Sequence, residues 1–393
     1  MRQKEKDRLK ILLCTTFDLC DNNGYISTQI HNFFVQNGHE MVKNPACADY
    51  IVISTCGFDQ DREHQSYAIV SDYVDQNAHK ARIIVCGCLA SINPELFDTS
   101  KVTIIGAKEL NKFNQIFQPK IKIENISGGA LNEHFINKAY GFLDAYYLQI
   151  CQGCINNCSY CAIKKAKGYV KSKPLKGLVA ELENAIRAGY KRVMLLGDDC
   201  GSYGVDLGTN LVELLNELNN YNIGININYI HPSRLEEIYP RLSMGTLERL
   251  GFMNVPIQST SPRILDLMNR HYDAEKIFEV VEDIKSKFPH LFLETHIIYG
   301  FPSETREEFE DTFRAIDFFD SVIYFYYTNR KNVDASKYKG KITTSEVICR
   351  TKNILNHPNF CIQRDNALLP VILLGYDIKT ADDIFKSIES SLP

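Results

Sequence analysis

Over the first 120 residues, short apolar runs alternate with stretches of helical spacing. Residues 10–14, 50–55, 82–86 and 102–105 are apolar and rich in Ile and Val, as strands of a covered parallel sheet are. Between and after them, residues 25–36, 60–77 and 108–117 repeat their apolar positions every three to four residues. Strand–helix alternation of this kind predicts βαβ units and a parallel sheet with helices on both faces. From residue 140 the pattern resumes, with strands expected at 146–150, 192–196, 224–230, 252–257, 291–298 and 322–327. Helices are expected at 177–188, 262–268, 274–287 and 304–318. Six strands alternating with helices predict a partial (β/α)6 barrel, whose functional face is the carboxyl side of its strands. The alternating Ile121-Lys122-Ile123-Glu124, followed by Ser127-Gly128-Gly129, reads as a short strand and a turn. The class expected is therefore α/β. Residues 1–120 form a parallel α/β sheet domain, 121–139 a connector, 140–366 the barrel and 367–393 a short extension. That extension reads as a strand at 368–374 and a helix at 381–391.

At 393 residues the chain exceeds one ordinary domain, and 45% apolar residues suffice for well-buried cores. Its charged start carries no signal-peptide core, and no uncharged apolar run is long enough to cross a bilayer. A cytoplasmic, reducing compartment is the expectation. There, clustered cysteines bind metal or do chemistry more often than they form bridges, and this chain has 13. The net charge of -4 gives no general pull toward nucleic acid. A local exception is Lys164, Lys165, Lys167, Lys171, Lys173 and Lys176, read either as a site for an anionic substrate or as a solvated loop.

The strongest chemical signal is Gly153-Cys154-Ile155-Asn156-Asn157-Cys158-Ser159-Tyr160-Cys161. A C-x3-C-x2-C spacing gathers three thiolates, whereas a four-iron cubane wants four ligands, so one iron is left for something that is not protein. The competing reading is structural zinc, which usually takes four protein ligands, with Cys151 as the fourth. Three more cysteines fall where ligands gather in parallel sheets, in loops after strands: Cys20, Cys56 and Cys88. They read as a second three-thiolate cluster site. Cys14, Cys47 and Cys86 read as small buried hydrophobes.

The cysteine spacing, with an aromatic before its last member, resembles the signature of radical S-adenosylmethionine (SAM) enzymes. With two three-cysteine sites in this order, the chain resembles the methylthiotransferases of that superfamily (MiaB/RimO type) over residues 10–350. The resemblance is carried by Ser54-Thr55-Cys56-Gly57-Phe58, Gly87-Cys88-Leu89, Leu195-Leu196-Gly197-Asp198-Asp199, Pro256-Ile257-Gln258-Ser259 and Gly300-Phe301-Pro302-Ser303-Glu304-Thr305. Tyr147-Leu148-Gln149-Ile150 and Cys158-Ser159-Tyr160-Cys161-Ala162-Ile163 are most similar to the branch acting on a ribosomal protein.

The resemblance implies two [4Fe-4S] clusters, one on Cys154, Cys158 and Cys161 and an auxiliary one on Cys20, Cys56 and Cys88. It implies SAM as methyl donor and radical source, an external electron donor and sulfur source, and methylthio insertion at an unactivated carbon. Tyr160 is similar to the family's adenine-contacting aromatic, with packing under the loop as its plainer role. Gly197 and Asp198 match the strand end that meets the methionyl amine, the plainer role of Asp198 being a helix cap. Gln258 is expected to face the barrel interior as a cofactor-binding residue, its plainer role being an ordinary buried amide. Cys151 and Cys200 are expected to be inert thiols.

Leu19, Ser54, Lys164, Lys167 and Ser303 depart from the family's usual residues. The larger departure is the end: about thirty residues after the core are too few for the small barrel, known as TRAM, that grips substrate in known members. A peptide or protein side chain is therefore the preferred acceptor. The alternatives are a tRNA adenosine, radical chemistry with an auxiliary cluster that only passes electrons, and a two-cluster electron carrier.

Overall fold

The computed structural model describes residues 8–17, 20–136, 142 and 144–357. They divide into two compact units, one drawn from residues 8–58, 62–147 and 162–168, the other from 59–61, 148–161 and 169–357. In the first, β1 (Lys10–Thr15), β2 (Glu40–Met41), β3 (Tyr50–Thr55), β4 (Arg82–Gly87) and β5 (Val102–Gly106) form one sheet in the order β2-β1-β3-β4-β5. Every pairing is parallel. One core cluster joins Ile51, Ile53, Ile83 and Val85 to Val70 and Leu89. Elsewhere in the unit Phe33, Phe34, Phe113 and Phe117 interlock, Phe34 and Phe117 meeting edge-on at 4.9 Å. Each fully buried side chain of this size is worth about 1.5–3 kcal/mol.

β4 ends in a position that only glycine fills. Gly87 has φ 100°, and a Cβ there would lie 2.5 Å from the carbonyl oxygen of Thr55. That close approach lays the start of the Cys88–Ile92 helix beside the loop after β3.

The other sheet is open and six-stranded, in the order β13-β12-β11-β10-β9-β6. Its strands are β6 (Ala145–Gln149), β9 (Arg192–Leu196), β10 (Gly224–Ile227), β11 (Leu250–Asn254), β12 (Phe292–Tyr299) and β13 (Ser321–Tyr326). The pairings from β9 to β13 are parallel, as expected for a partial barrel. A two-residue antiparallel ladder that the apolar pattern does not announce, β7 (Cys151–Gln152) with β8 (Lys171–Ser172), brackets the cysteine loop. No helix among the described residues is long and apolar enough to cross a membrane.

Three local expectations need correction. Residues 121–124 make no strand: both backbone groups of Ile121 are bound by the Asn37 side chain at 2.9 Å, and Ile123–Asn125 winds into a 3-10 turn. Residues 304–318 are not one helix. Arg306–Asp311 starts from a Thr305 capping box, then tightens to a 3-10 turn at Thr312–Arg314 before Ala315–Phe318. The Phe309 and Thr312 carbonyls are taken there by the Thr312 and Tyr324 hydroxyls. Cys47 is exposed on the turn Pro45–Cys47, whereas Cys86 is buried and Cys14 half-buried. The strand and helix expected at 368–374 and 381–391 lie outside the described residues.

Candidate active site

The loop carrying Cys154, Cys158 and Cys161 leaves the carboxyl end of β6, through Ile150 and β7. Gly153, at φ 81°, gives its N–H to Asp198 Oδ2 at 2.7 Å, tying the loop to the end of β9. Further along, Ser159 N–H and Oγ bond the carbonyls of Met268 and Leu267 at 2.9 and 2.7 Å, and Asn269 Nδ2 reaches the carbonyl of Asn157 at 2.8 Å. The sulfurs are thus placed by hydrogen bonds, three of which span more than a hundred residues.

Two of these sulfurs have N–H donors aimed at them. Asn156 offers Cys154 its backbone N–H at 3.3 Å and its side-chain amide at 3.5 Å; Arg270 Nη1 stands 3.5 Å from Cys158 Sγ. Burial pushes the Cys154 thiol up to about 12, with Asp199 and the neighbouring Cys158 and Cys161 adding to it. Mutually repelling sulfurs with N–H donors on two of the three suit metal-held thiolates, whose potential such hydrogen bonds tune. Structural zinc would need Cys151 as its fourth ligand, but that sulfur is buried and turned to the Asp199 carbonyl. The three loop sulfurs, two of them facing N–H donors, fit a cubane that leaves one iron without a protein ligand.

Arg270 is buried and binds the loop to the wall beyond β11: it donates to the Pro256 carbonyl at 2.6 Å, approaches Tyr160 Oη at 3.4 Å and lies over the Tyr272 ring at 5.4 Å. Tyr160 meets Phe301 edge-on at 6.5 Å. Gln258 follows directly. It sits at φ 65°, an uncommon conformation for a non-glycine residue, held by N–H to His296 O at 2.7 Å and Ile298 N–H to its own carbonyl at 2.9 Å. Its side chain is buried and Oε1 has no protein partner. A strained backbone presenting an orphaned acceptor is the mark of a ligand-facing residue.

At β9's end, a Cβ on Gly197 would come within 2.8 Å of Cys151 Sγ. Cys151 and Cys200 are fully buried and turn their sulfurs to the Asp199 and Leu195 carbonyls at 3.6 and 3.4 Å, which is packing. Asp199 is the buried carboxylate here. It accepts from Ser202 Oγ at 2.6 Å, from the N–H groups of Gly201 and His231 at 3.0 Å, and from Asn156 Nδ2 at 3.3 Å.

His231 stands beside this network, its ring edge-on to Tyr272 at 5.7 Å. Burial, then Arg270 and Arg234, push its pKa down to about 2. The unfolded chain therefore binds a proton that the folded chain refuses once pH drops below the ordinary 6.5. Stability should fall by about 1.4 kcal/mol per pH unit below that point from this group alone. Urea midpoints between pH 7.5 and 5.5 check this, and His231→Gln should flatten the slope by one proton's worth.

The N-terminal unit brings the other three cysteines to one end of its sheet. Cys20 caps the sixteen-residue helix Asp21–Gln36, and Cys88 opens the helix Cys88–Ile92. Cys56 is buried beyond β3, and a Cβ on the adjoining Gly57 would stand 3.2 Å from the backbone of Leu89. Burial raises the Cys20 thiol to about 11; the Asn23 N–H opposes this, Cys88 adds to it, and Lys167 opposes it. Lys167 is itself buried and comes from the turn after Cys161. Sequence reasoning left it in a lysine run; the structure sets it beside Cys20. Other lysines of that run are engaged too, Lys165 with the Ile92 carbonyl and Lys173 with Glu181 at 3.2 Å. The run is not a single anion-binding patch.

Residues 148–316 match the model of the Radical SAM superfamily, and residues 15–106 match that of a family described as Uncharacterized protein family UPF0004. A probable threonylcarbamoyladenosine tRNA methylthiotransferase of Pyrococcus abyssi is 30% identical over 318 residues, 77% of this chain and 73% of that protein. The ribosomal protein uS12 methylthiotransferase RimO of a Thermotoga species is 28% identical over 337 residues, 81% of this chain and 77% of that one. Among solved structures, the radical S-adenosylmethionine methyltransferase TsrM of Kitasatospora setae superposes with a TM-score of 0.57 at 13% identity, covering 90% of this chain and 78% of that one. The family model and these relatives show a radical SAM enzyme, a transferase that uses SAM and a [4Fe-4S] cluster. Within that class, the chain belongs to the methylthiotransferase family.

Arg270, Tyr272, Asp199 and Asn156 are the residues of this region to which sequence reasoning gave no role. Asn156 and Asp199 lay inside the quoted motifs, but only the fold shows that Asp199 and Arg270 are buried against the cluster loop.

Proposed function

We propose that this chain inserts sulfur, as a methylthio group, at an unactivated C–H of a peptide or protein side chain. Cys154, Cys158 and Cys161 hold the SAM-binding cluster, and Cys20, Cys56 and Cys88 hold an auxiliary one. When bound, these groups supply the radical that removes the hydrogen atom and the sulfur that replaces it. The chain's own part is orientation and exclusion. Gly153 and Asp198 hold the loop against the strand end, where a carboxylate suits the methionyl ammonium. Arg270 offsets charge at Cys158 while fixing Tyr160 and Pro256. Gln258 Oε1 is an acceptor for the nucleoside end of SAM. The buried walls keep water from the reacting carbon. The observation that carries the reading is the three-cysteine loop with N–H donors on two sulfurs, on the carboxyl side of a six-stranded sheet.

Gln258→Asn tests the SAM-binding part, since asparagine tolerates positive φ but has a shorter reach. SAM affinity, read from titration of the reduced cluster's EPR signal, should weaken about tenfold for the loss of one hydrogen bond.

The whole reading is tested by anaerobic reconstitution, followed by SAM, dithionite and separate peptide and tRNA fractions. About eight irons per chain, 5'-deoxyadenosine release and a methylthio mass gain on peptide are expected. Modified tRNA beside unmodified peptide would move the acceptor to nucleic acid.

A further inference from the structure

One face of the barrel sheet carries polar residues that the cluster loop and its partners leave unused. In β12 the side chains of Leu293, Thr295, Ile297 and Tyr299 are buried, whereas Glu294, His296 and Ile298 keep partial exposure. Tyr299 bonds Thr351 of the outer helix Thr344–Asn356, so the alternate face is the inner one. The register Asn254↔Glu294↔Ser321 puts Asn254 and Ser321 on that inner face too. Phe252 and Phe292, stacked 6.2 Å apart, lie nearer the strands' amino ends.

Hydrogen bonds set the polarity of this group. Asn254 Nδ2 lies 2.6 Å from Glu294 Oε1 and 2.9 Å from His296 Nε2. A carboxylate oxygen only accepts, so the atom facing it is the amide nitrogen. His296 Nε2 must then be an acceptor too, which puts its ring proton on Nδ1. The other carboxylate oxygen accepts from Ser321 Oγ at 3.3 Å. Two things remain over. Asn254 Oδ1 is buried with no donor, and among the described residues no Lys or Arg pairs with Glu294, whose neighbour is His296 Nε2 at 3.5 Å. The rings of Tyr229 and Phe325 flank His296 at 5.7 and 5.0 Å. A network serving the fold alone would close on itself.

We propose that this inner-face group receives the acceptor side chain and selects a cationic one, lysine- or arginine-like, over a carboxylate. The inference rests on the peptide-modifying reading above. A cation brings donors to Asn254 Oδ1, a counter-charge to Glu294, and a positive edge to the two aromatic faces. A carboxylate brings only acceptors to a site already rich in them, beside a like charge.

The test uses the reconstituted, SAM-bound enzyme and fluorescein-labelled Gly/Ser host peptides with one central Lys, Arg, Gln, Asp or Glu. Binding is read by anisotropy and 5'-deoxyadenosine release is followed in the same samples. Lys and Arg peptides should bind about tenfold or more tightly than Asp and Glu peptides. Glu294→Gln should shrink that ratio to about threefold or less, and Glu294→Asp should keep most of it. Ratios within one protein cancel any partial loss of folded material. Equal binding of all peptides, preference for Asp or Glu, or a ratio that survives Glu294→Gln overturns the inference. Displacement of the peptides by tRNA that weakens in Glu294→Gln assigns the group to a base and overturns it as well. Absence of 5'-deoxyadenosine with or without peptide overturns the parent reading, and this inference with it.

Discussion

Replacing Cys154, Cys158 and Cys161 together by alanine is expected to abolish 5'-deoxyadenosine formation, by about a thousandfold or more, because no other group in the chain supplies that chemistry. Iron after reconstitution should fall from about eight to about four per chain. The triple variant should still fold, since the loop is also anchored through Ser159, Asn157 and Gly153, none of which depends on sulfur. Iron assay and chromatographic quantification of deoxyadenosine check both numbers. A variant that keeps all its iron would show that the metal sits elsewhere.

The second large effect separates the two cysteine sites. Alanine at Cys20, Cys56 and Cys88 should again lower iron to about four, yet leave SAM cleavage running, because the cluster loop and its anchors belong to the barrel unit. Sulfur appearing in the product should drop by about a hundredfold or more, since no other residue set is proposed to carry it. The signature is an uncoupled enzyme that consumes SAM and leaves the acceptor without sulfur. If that variant still transferred sulfur, the auxiliary site would be a structural or electron-passing feature. Lys167→Met should mimic the loss in part, as its buried ammonium is the cation beside Cys20.

Much of this arrangement was legible in the chain because its signals are local. The strands at Tyr50–Thr55 and Arg192–Leu196 are continuous apolar runs, and covered parallel strands need nothing else to announce themselves. The cysteine spacing is likewise read within eight residues. What stayed hidden depends on partners far away in sequence. Arg270 meets Cys158 across 112 positions, so no periodicity betrays its burial. Ile121 and Ile123 alternate like a strand, but the Asn37 side chain satisfies the backbone that a neighbouring strand would have used. Ser303, a departure from the family's usual glycine, sits at φ 67°, which explains the glycine preference without having been visible beforehand. Polarity of the inner barrel face was unreadable for the same reason. Asn254, Glu294 and His296 look like solvent-facing strand positions until the register aligns them.

The central claim is sulfur insertion with methylation. Its most direct test is the mass of a modified peptide made with SAM carrying a trideuterated methyl group. The account predicts one added sulfur and one labelled methyl on the same side chain, in place of one hydrogen. A product that carries the labelled methyl without sulfur, or that has only lost hydrogen, would contradict it.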